Sequence, residues 1–260
     1  MTSALVLTKG HPFDGPSFAA MWDSLAERGI TWEHVEHPDG EARLHPDRLE
    51  ADVLVLYDMP GIGFRRPGLP EFTEPPAAVV DGFGALTAAG VPILALHHAI
   101  AGWPAWAGYA ELIGGRFHYV ASRLRGTDWP DSGYRHDVHQ TLTVVDAAHP
   151  VCAGLPASFE LTDETYQCPV FDTEVTPLLR TDAPRGDDEH YSATLAITGR
   201  MYEREGWSHP AGSNLAAWVK PAGRSTLVYV QPGDGPAAYG DANYRHLLAN
   251  AVTWLATTRP

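Results

Sequence analysis

Two adjacent histidines, His97 and His98, follow a run with no polar residue, Val91 to Leu96, and precede the turn Gly102-Trp103-Pro104. An imidazole changes charge near neutral pH and ligates metals, so two of them at one turn could shuttle protons, hold a metal or bind substrate. The bland alternative is a structural pair, one ring packed and the other bonded to backbone. The place of the pair favours function. The run before it suits a strand covered on both faces, and Trp103, Trp106, Ala107, Ala110, Leu112 and Ile113 then recur at near-helical spacing up to Gly114-Gly115. In open parallel sheets the ligand crevice lies at the carboxyl ends of the strands, where following helices start.

Elements that would position these residues are readable along the chain. Ala4 to Thr8 reads as a first buried strand, followed by a helix whose Phe18, Met21, Trp22 and Leu25 share one face. Thr31 to Val35 alternates as a second strand, and Asp52 to Tyr57 is a continuous apolar run stopped by Asp58-Met59-Pro60-Gly61. Pro75 to Ala89 suits a helix. Strand and helix thus alternate through the first half, the pattern of a doubly wound parallel sheet. After Gly115 the character changes. Gln140 to Val145, Thr176 to Arg180, Asn214 to Val219 and Ser225 to Val230 read as strands of an antiparallel extension that rejoins the sheet. Thr181 to His190 reads as a mobile polar loop, and Tyr244, Leu247, Leu248, Val252 and Leu255 mark a closing amphipathic helix. The expected architecture is one α/β domain over residues 1–260, flavodoxin-like and mainly parallel, with antiparallel additions in the second half.

A chain of 260 residues, 44% hydrophobic, can bury one large core. Its formal charge of -14 opposes nucleic acid as a partner, because phosphate contacts need a basic surface. No apolar run reaches membrane-spanning length and the start lacks a signal-peptide pattern, so a cytoplasmic protein with no membrane partner is expected. Cys152 and Cys168 show no CxxC spacing, which argues against a disulfide framework or a thiolate zinc site. Oligomeric state is not readable, and a homo-oligomer stays open.

Strand order predicts that His11, Asp58, His97, His98 and Asp234 follow four different strands and face one crevice. Two histidines with a carboxylate would suit zinc or manganese, with His97, His98 and Asp234 as ligands. Adjacent side chains diverge, however, so one of the two histidines should reach a given ion while the other orients it. Aromatic faces in a wet cleft suit sugar rings, and Trp103, Trp106, Trp129, Tyr134 and Trp207 beside His209 are candidates, although most such rings are core. His118, His136, His139, His149 and His246 take surface or structural readings, with His136 and His139 able to move on a lid from Thr127 to Asp137.

Several segments together resemble the ThuA-like family, named for trehalose utilisation, whose fold is similar to class I glutamine amidotransferases. They are LHHAIAGWPAWAGYAELIGGRF (Leu96 to Phe117), HPVCAGLPASFELTDETY (His149 to Tyr166), AAWVKPAGRSTLVYV (Ala216 to Val230) and the last helix near Trp254. The resemblance implies a flavodoxin-like sheet and a role in carbohydrate metabolism, on a sugar, keto-sugar or glycoside. Two departures stand out. His97 and His98 occupy the turn where an amidotransferase carries its cysteine nucleophile, which argues against thiolate chemistry. Where many family members read Gly-His-Asp, this chain reads Pro232-Gly233-Asp234-Gly235.

The family-like Asp163-Glu164-Thr165-Tyr166 places a carboxylate beside a phenol, the makings of a base and an acid. Its alternative is a capped turn with a buried ring. The expected reading is an enzyme acting by proton transfer or by hydrolysis, with or without a metal. In it His98 or Glu164 is the base, Tyr166 the acid, and His11, Asp58, Trp103, His209 and Asp234 hold substrate. The alternative is a non-catalytic carbohydrate-binding or regulatory protein on the same scaffold.

Overall fold

The computed structural model describes residues 1–65 and 68–260. The first half alternates as expected: β1 (Thr2–Lys9), α1 (Gly15–Ser24), β2 (Ile30–Glu36), β3 (Val53–Asp58), the small pair β4 (Ile62–Gly63) and β5 (Glu71–Phe72), α2 (Ala77–Ala88), β6 (Ile93–Leu96) and α3 (Ala107–Ile113). The second half holds β7 (Ser122–Leu124), β8 (Thr127–Trp129), β9 (Gly133–Val144), β10 (Ser158–Gln167), β11 (Thr176–Thr181), β12 (Tyr191–Ser192), α4 (Ala193–Ile197), β13 (Leu215–Ala222), β14 (Ser225–Val230), α5 (Pro236–Gly240) and α6 (Ala242–Thr258).

Among the described residues the main sheet has ten strands in the order β10-β9-β11-β13-β14-β6-β3-β1-β2, with β12 on β9. Strands β14, β6, β3, β1 and β2 run parallel, and β13, β11, β9 and β10 extend the sheet in antiparallel pairs. This is the flavodoxin-like arrangement with its antiparallel additions. Helices cover both faces because the parallel strands are apolar on both. Ala4, Val6, Val53 and Val55 pack with α1 and α6 through Phe18, Trp22 and Leu248. Leu5, Leu7, Leu54 and Leu56 pack with α2 and α3 through Val79, Phe83 and Ile113. Side chains alternate across a strand, so one apolar run feeds two cores.

Caps fix the helices locally. Asp14 accepts from the Ser17 amide at 2.8 Å at the start of α1, and Asp241 accepts from the Tyr244 amide at 2.8 Å at the start of α6. Gly82 lets α2 approach the Leu44 backbone so closely that a Cβ there would overlap the Leu44 carbonyl oxygen. Gly82→Ala is therefore expected to destabilise the fold by about 1–3 kcal/mol. Thermal unfolding checks this, and an unchanged Tm would show that the loop shifts without cost.

Three expectations change here. Ser158–Gln167, which holds the DETY segment, is a strand, so the capped turn offered as its alternative reading falls, while the Tyr166 ring is buried as that alternative had it. Thr127 to Asp137 forms no lid, since Thr127–Trp129 pairs with β7 and Gly133 begins the long β9. The loop after β11 is anchored: Asp187 accepts from the Ser208 hydroxyl at 2.7 Å and the His209 amide at 2.9 Å, and His190 at its end is fully buried.

One feature of the sheet positions the site. β9 pairs with β11 only through Leu142, Thr143 and Val144, while its earlier residues pair with β10 and β12. The rest of the β9 and β10 ribbon thus projects past the sheet, at the end where the parallel strands stop.

Candidate active site

His97 sits at the centre of this end, fully buried, in the short 3-10 turn after β6. Its φ of +47° is left-handed backbone, a conformation that costs a non-glycine residue energy and collects at functional sites. The Nδ1 atom lies 2.8 Å from the Gln231 carbonyl oxygen, which can only accept, so Nδ1 carries a proton. Nε2 therefore faces the cluster. It stands 2.8 Å from the Tyr166 hydroxyl, 3.0 Å from Glu164 Oε2 and 3.3 Å from Asp234 Oδ1.

The ribbon delivers Glu164 through a bulge. Asp163 pairs with Val138 and Thr165 with Arg135, leaving His136 and Asp137 opposite Glu164 alone. Two residues against one is the β-bulge arrangement, which re-aims side chains, and Asp137 takes a φ of +54° to achieve it. As a result Glu164 Oε1 lies 3.2 Å from His136 Nε2, while Oε2 faces His97. Tyr166, two residues on, shares the face of Glu164.

Asp234 is held by a clamped loop. Asp163 accepts from the amides of Gly233 at 2.5 Å and Asp234 at 3.2 Å. The Tyr57 hydroxyl donates to the Gly233 carbonyl at 2.8 Å, that of Tyr244 to Pro232 at 3.0 Å and that of Tyr239 to Asp234 at 3.1 Å. Gly233 has a φ of +131° and its position leaves no room for a Cβ beside the Tyr244 hydroxyl. The Asp234 carboxylate is 3.8 Å from His11 Nε2, and the His11 ring stacks on His98 with centroids 4.4 Å apart.

Burial opposes charge on His97, yet hydrogen bonds to Asp234 and Glu164 outweigh it and hold the imidazole's pKa well above the usual histidine range. Burial would likewise raise Glu164, but bonds from His136 and His97 hold it far below the usual carboxylate range. His136 is raised, first by its bond to Glu164. Burial pushes the Tyr166 phenol up, so it stays protonated, and lifts Asp163 to about 6. His98 is held well below the usual range by burial, then by the charges of His11 and His97.

The cluster opens onto a cavity of about 170 Å³, lined by His11, His136, Glu164 and Tyr166 and walled by Phe64, Phe117, Tyr119 and Tyr134. Ligand atoms of His11, His97, Glu164 and Asp234 all lie within 4.8 Å of one another, as do those of His11, His97 and His98.

Sequence reasoning thus placed His11, His97, Glu164, Tyr166 and Asp234 at one site. Three other residues sit elsewhere, and His98 borders the cluster. Asp58 is buried and bonded to His37 Nε2 at 2.7 Å, off the cavity. Trp103 is buried against Gly61, and His209 packs against Trp129 and Trp207. His98 lies behind His11, with Nε2 3.3 Å from the Tyr57 carbonyl, and does not line the cavity. His136 was given a structural reading and instead faces the cavity. Its signal was the alternation Tyr134, His136, Val138, Gln140, which extends the strand upstream of Gln140. Cys152 and Cys168 are buried free thiols, pushed up by burial to about 11 and about 12, and neither lines the cavity.

The ThuA family model, described as trehalose utilisation, matches residues 27–255. The chain belongs to the ThuA family. Its fold is shared by a ThuA-like protein of Parabacteroides merdae, at 13% identity and a TM-score of 0.68, covering 98% of this chain and 90% of that one. A ThuA-like protein of Bacteroides uniformis gives 18% identity and a TM-score of 0.63 over 98% and 91%. Agd3, described as a carbohydrate deacetylase, gives 14% and 0.55, covering 99% of this chain and 32% of its own. No curated protein sequence matches this ThuA-family chain significantly. Among the described residues no helix is long and apolar enough to cross a membrane.

Proposed function

We propose that this ThuA-family protein is an enzyme of carbohydrate metabolism that moves a proton at a carbon next to the carbonyl of a small sugar-derived substrate. One observation carries the reading: the buried Glu164 carboxylate ties a cavity-facing imidazole, His136, to the His97 and Tyr166 pair. Nε2 of His136 donates to Glu164, so Nδ1 is the nitrogen that accepts a proton; without substrate it lies 3.3 Å from the Tyr202 hydroxyl. Nδ1 takes the carbon-bound proton while the C–H electron pair moves toward the carbonyl oxygen. The Tyr166 hydroxyl, kept protonated by burial, donates a hydrogen bond to that oxygen as charge grows on it. Return of the proton from His136 to the former carbonyl carbon, with the hydroxyl proton of the carbon first deprotonated passing to the former carbonyl oxygen, completes an isomerisation.

Aromatic walls suit the apolar faces of a sugar ring, and the family's link to trehalose utilisation supports the substrate class. Hydrolysis through a hydroxyl or thiol nucleophile is disfavoured, because no Ser, Thr or Cys is among the described residues lining the cavity. The test is proton NMR of keto-sugars and keto-glycosides incubated with the protein in D2O. Exchange confined to positions beside the carbonyl is expected for at least one of them. A panel in which ligands bind but none exchanges would instead identify a carbohydrate-binding protein.

A further inference from the structure

His97 and three side chains around it have the composition and spacing of a cation site. We propose that His11, His97, Glu164 and Asp234 bind a divalent transition-metal ion of the zinc class. Two imidazoles and two carboxylates make a ligand set that zinc accepts. A tetrahedral ion with bonds of about 2.0–2.2 Å has ligand atoms about 3.3–3.6 Å apart. The distances from His97 Nε2 to Glu164 and Asp234 are 3.0 and 3.3 Å, and that from His11 Nε2 to Asp234 is 3.8 Å. All four atoms fall within 4.8 Å of one another, so small rotations about side-chain bonds close the shell.

Three further observations point the same way. The His97 ring is fixed through Nδ1 by the Gln231 carbonyl, the outer contact that orients a metal-bound imidazole and aims Nε2 inward. Asp234 is presented by a loop whose amides are held by Asp163 and whose carbonyls are held by Tyr57, Tyr239 and Tyr244. Such preorganisation is more than a surface loop needs. Two carboxylates converging on one buried imidazole also create a negative pocket that a divalent cation neutralises. In that arrangement Glu164 bridges the ion through Oε2 and His136 through Oε1, leaving the proton-accepting Nδ1 of His136 free.

The site rests on geometry and not on the reaction assigned above. Ion binding without proton exchange would remove that reaction and keep the site; exchange without ion binding would do the reverse. Protein purified without an affinity tag and stripped with a chelator is titrated with Zn²⁺ by calorimetry, and with Co²⁺ by visible absorption. One ion per chain is expected, with the intense bands of four-coordinate cobalt. The shape-conserving double variant Glu164→Gln, Asp234→Asn should weaken binding at least about 100-fold. Asp163→Asn touches no ligand atom and should weaken it about 10-fold through the loop it holds. Circular dichroism checks folding of both. Absence of saturable binding to the native protein, or native affinity in the double variant, overturns the proposal. If the double variant does not fold, native affinity in Asp163→Asn overturns it.

Discussion

His136→Ala is expected to lower the rate of proton exchange by about 10²–10⁴-fold, the range for loss of a positioned acid or base. The fold should survive with a loss of about 1–3 kcal/mol, because the half-buried His136 ring is one of two imidazoles bonded to the buried Glu164 carboxylate and His97 remains. His139, on the same strand and 68% exposed, is the comparison; His139→Ala should leave the rate unchanged. The loss should fall on kcat, since His136 is assigned a role in the step and not in holding the ring. Stopped-time NMR of exchange in D2O separates the outcomes. An unaltered rate in His136→Ala would take the proton-accepting role away from this residue.

Acid should unfold the protein well before the carboxylates alone would. His118 and His190 are buried, and burial lowers them to about 4 and about 3 from an ordinary 6.5. Among the described residues Nε2 of His118 and Nδ1 of His190 have no partner, so a proton added there has nothing among them to bond. A folded-state value below the unfolded one means that the folded form resists protonation. Stability from these groups is therefore complete above about pH 6.5 and is lost as pH falls toward 4 and then 3. A tenfold change in proton affinity corresponds to about 1.36 kcal/mol, so the limit is about 3 kcal/mol for His118 and about 5 kcal/mol for His190. That compares with about 5–15 kcal/mol for a whole domain. Urea titrations at pH 7, 5.5 and 4.5 should show a steep fall, flattened in His118→Gln. A midpoint that stays level over this range would mean that these rings find solvent or partners on protonation.

The parallel half was legible because its strands are continuous apolar runs with turn residues after them, and strand ends determine what faces the crevice. His11, His97 and Asp234 follow from that rule alone. The same rule failed for Asp58, which ends β3 as expected but is bonded to His37, a residue of the loop after β2 that carries no strand-end signal. Adjacent histidines diverge as expected, one facing Glu164 and Asp234 and the other packed behind His11. The antiparallel half was harder. Ser158–Gln167 begins by alternating and then buries Asp163, Glu164, Thr165, Tyr166 and Gln167 in succession, because a bulge and the loops around it cover both faces. Periodicity cannot signal a polar strand buried by its tertiary surroundings, so the alternation that puts His136 on a strand did not show that Glu164 lies across from it.

The projecting ribbon makes the cavity a seam between two bodies of different origin. His11, His97 and Asp234 follow the parallel strands, while His136, Glu164 and Tyr166 ride on an arm paired to β11 through Leu142, Thr143 and Val144 and tied to the loop after β14 through Asp163 and the Glu164 carbonyl. An opening fluctuation that lifts the arm would dismantle the site and draw Tyr134 and Tyr166 out of the core they share with α3. Whatever binds across the seam must then oppose that opening by its own free energy of binding. Occupancy is thus recorded as resistance of the arm to local unfolding, so the chain carries a mechanical report of its ligand far from the atoms that touch it.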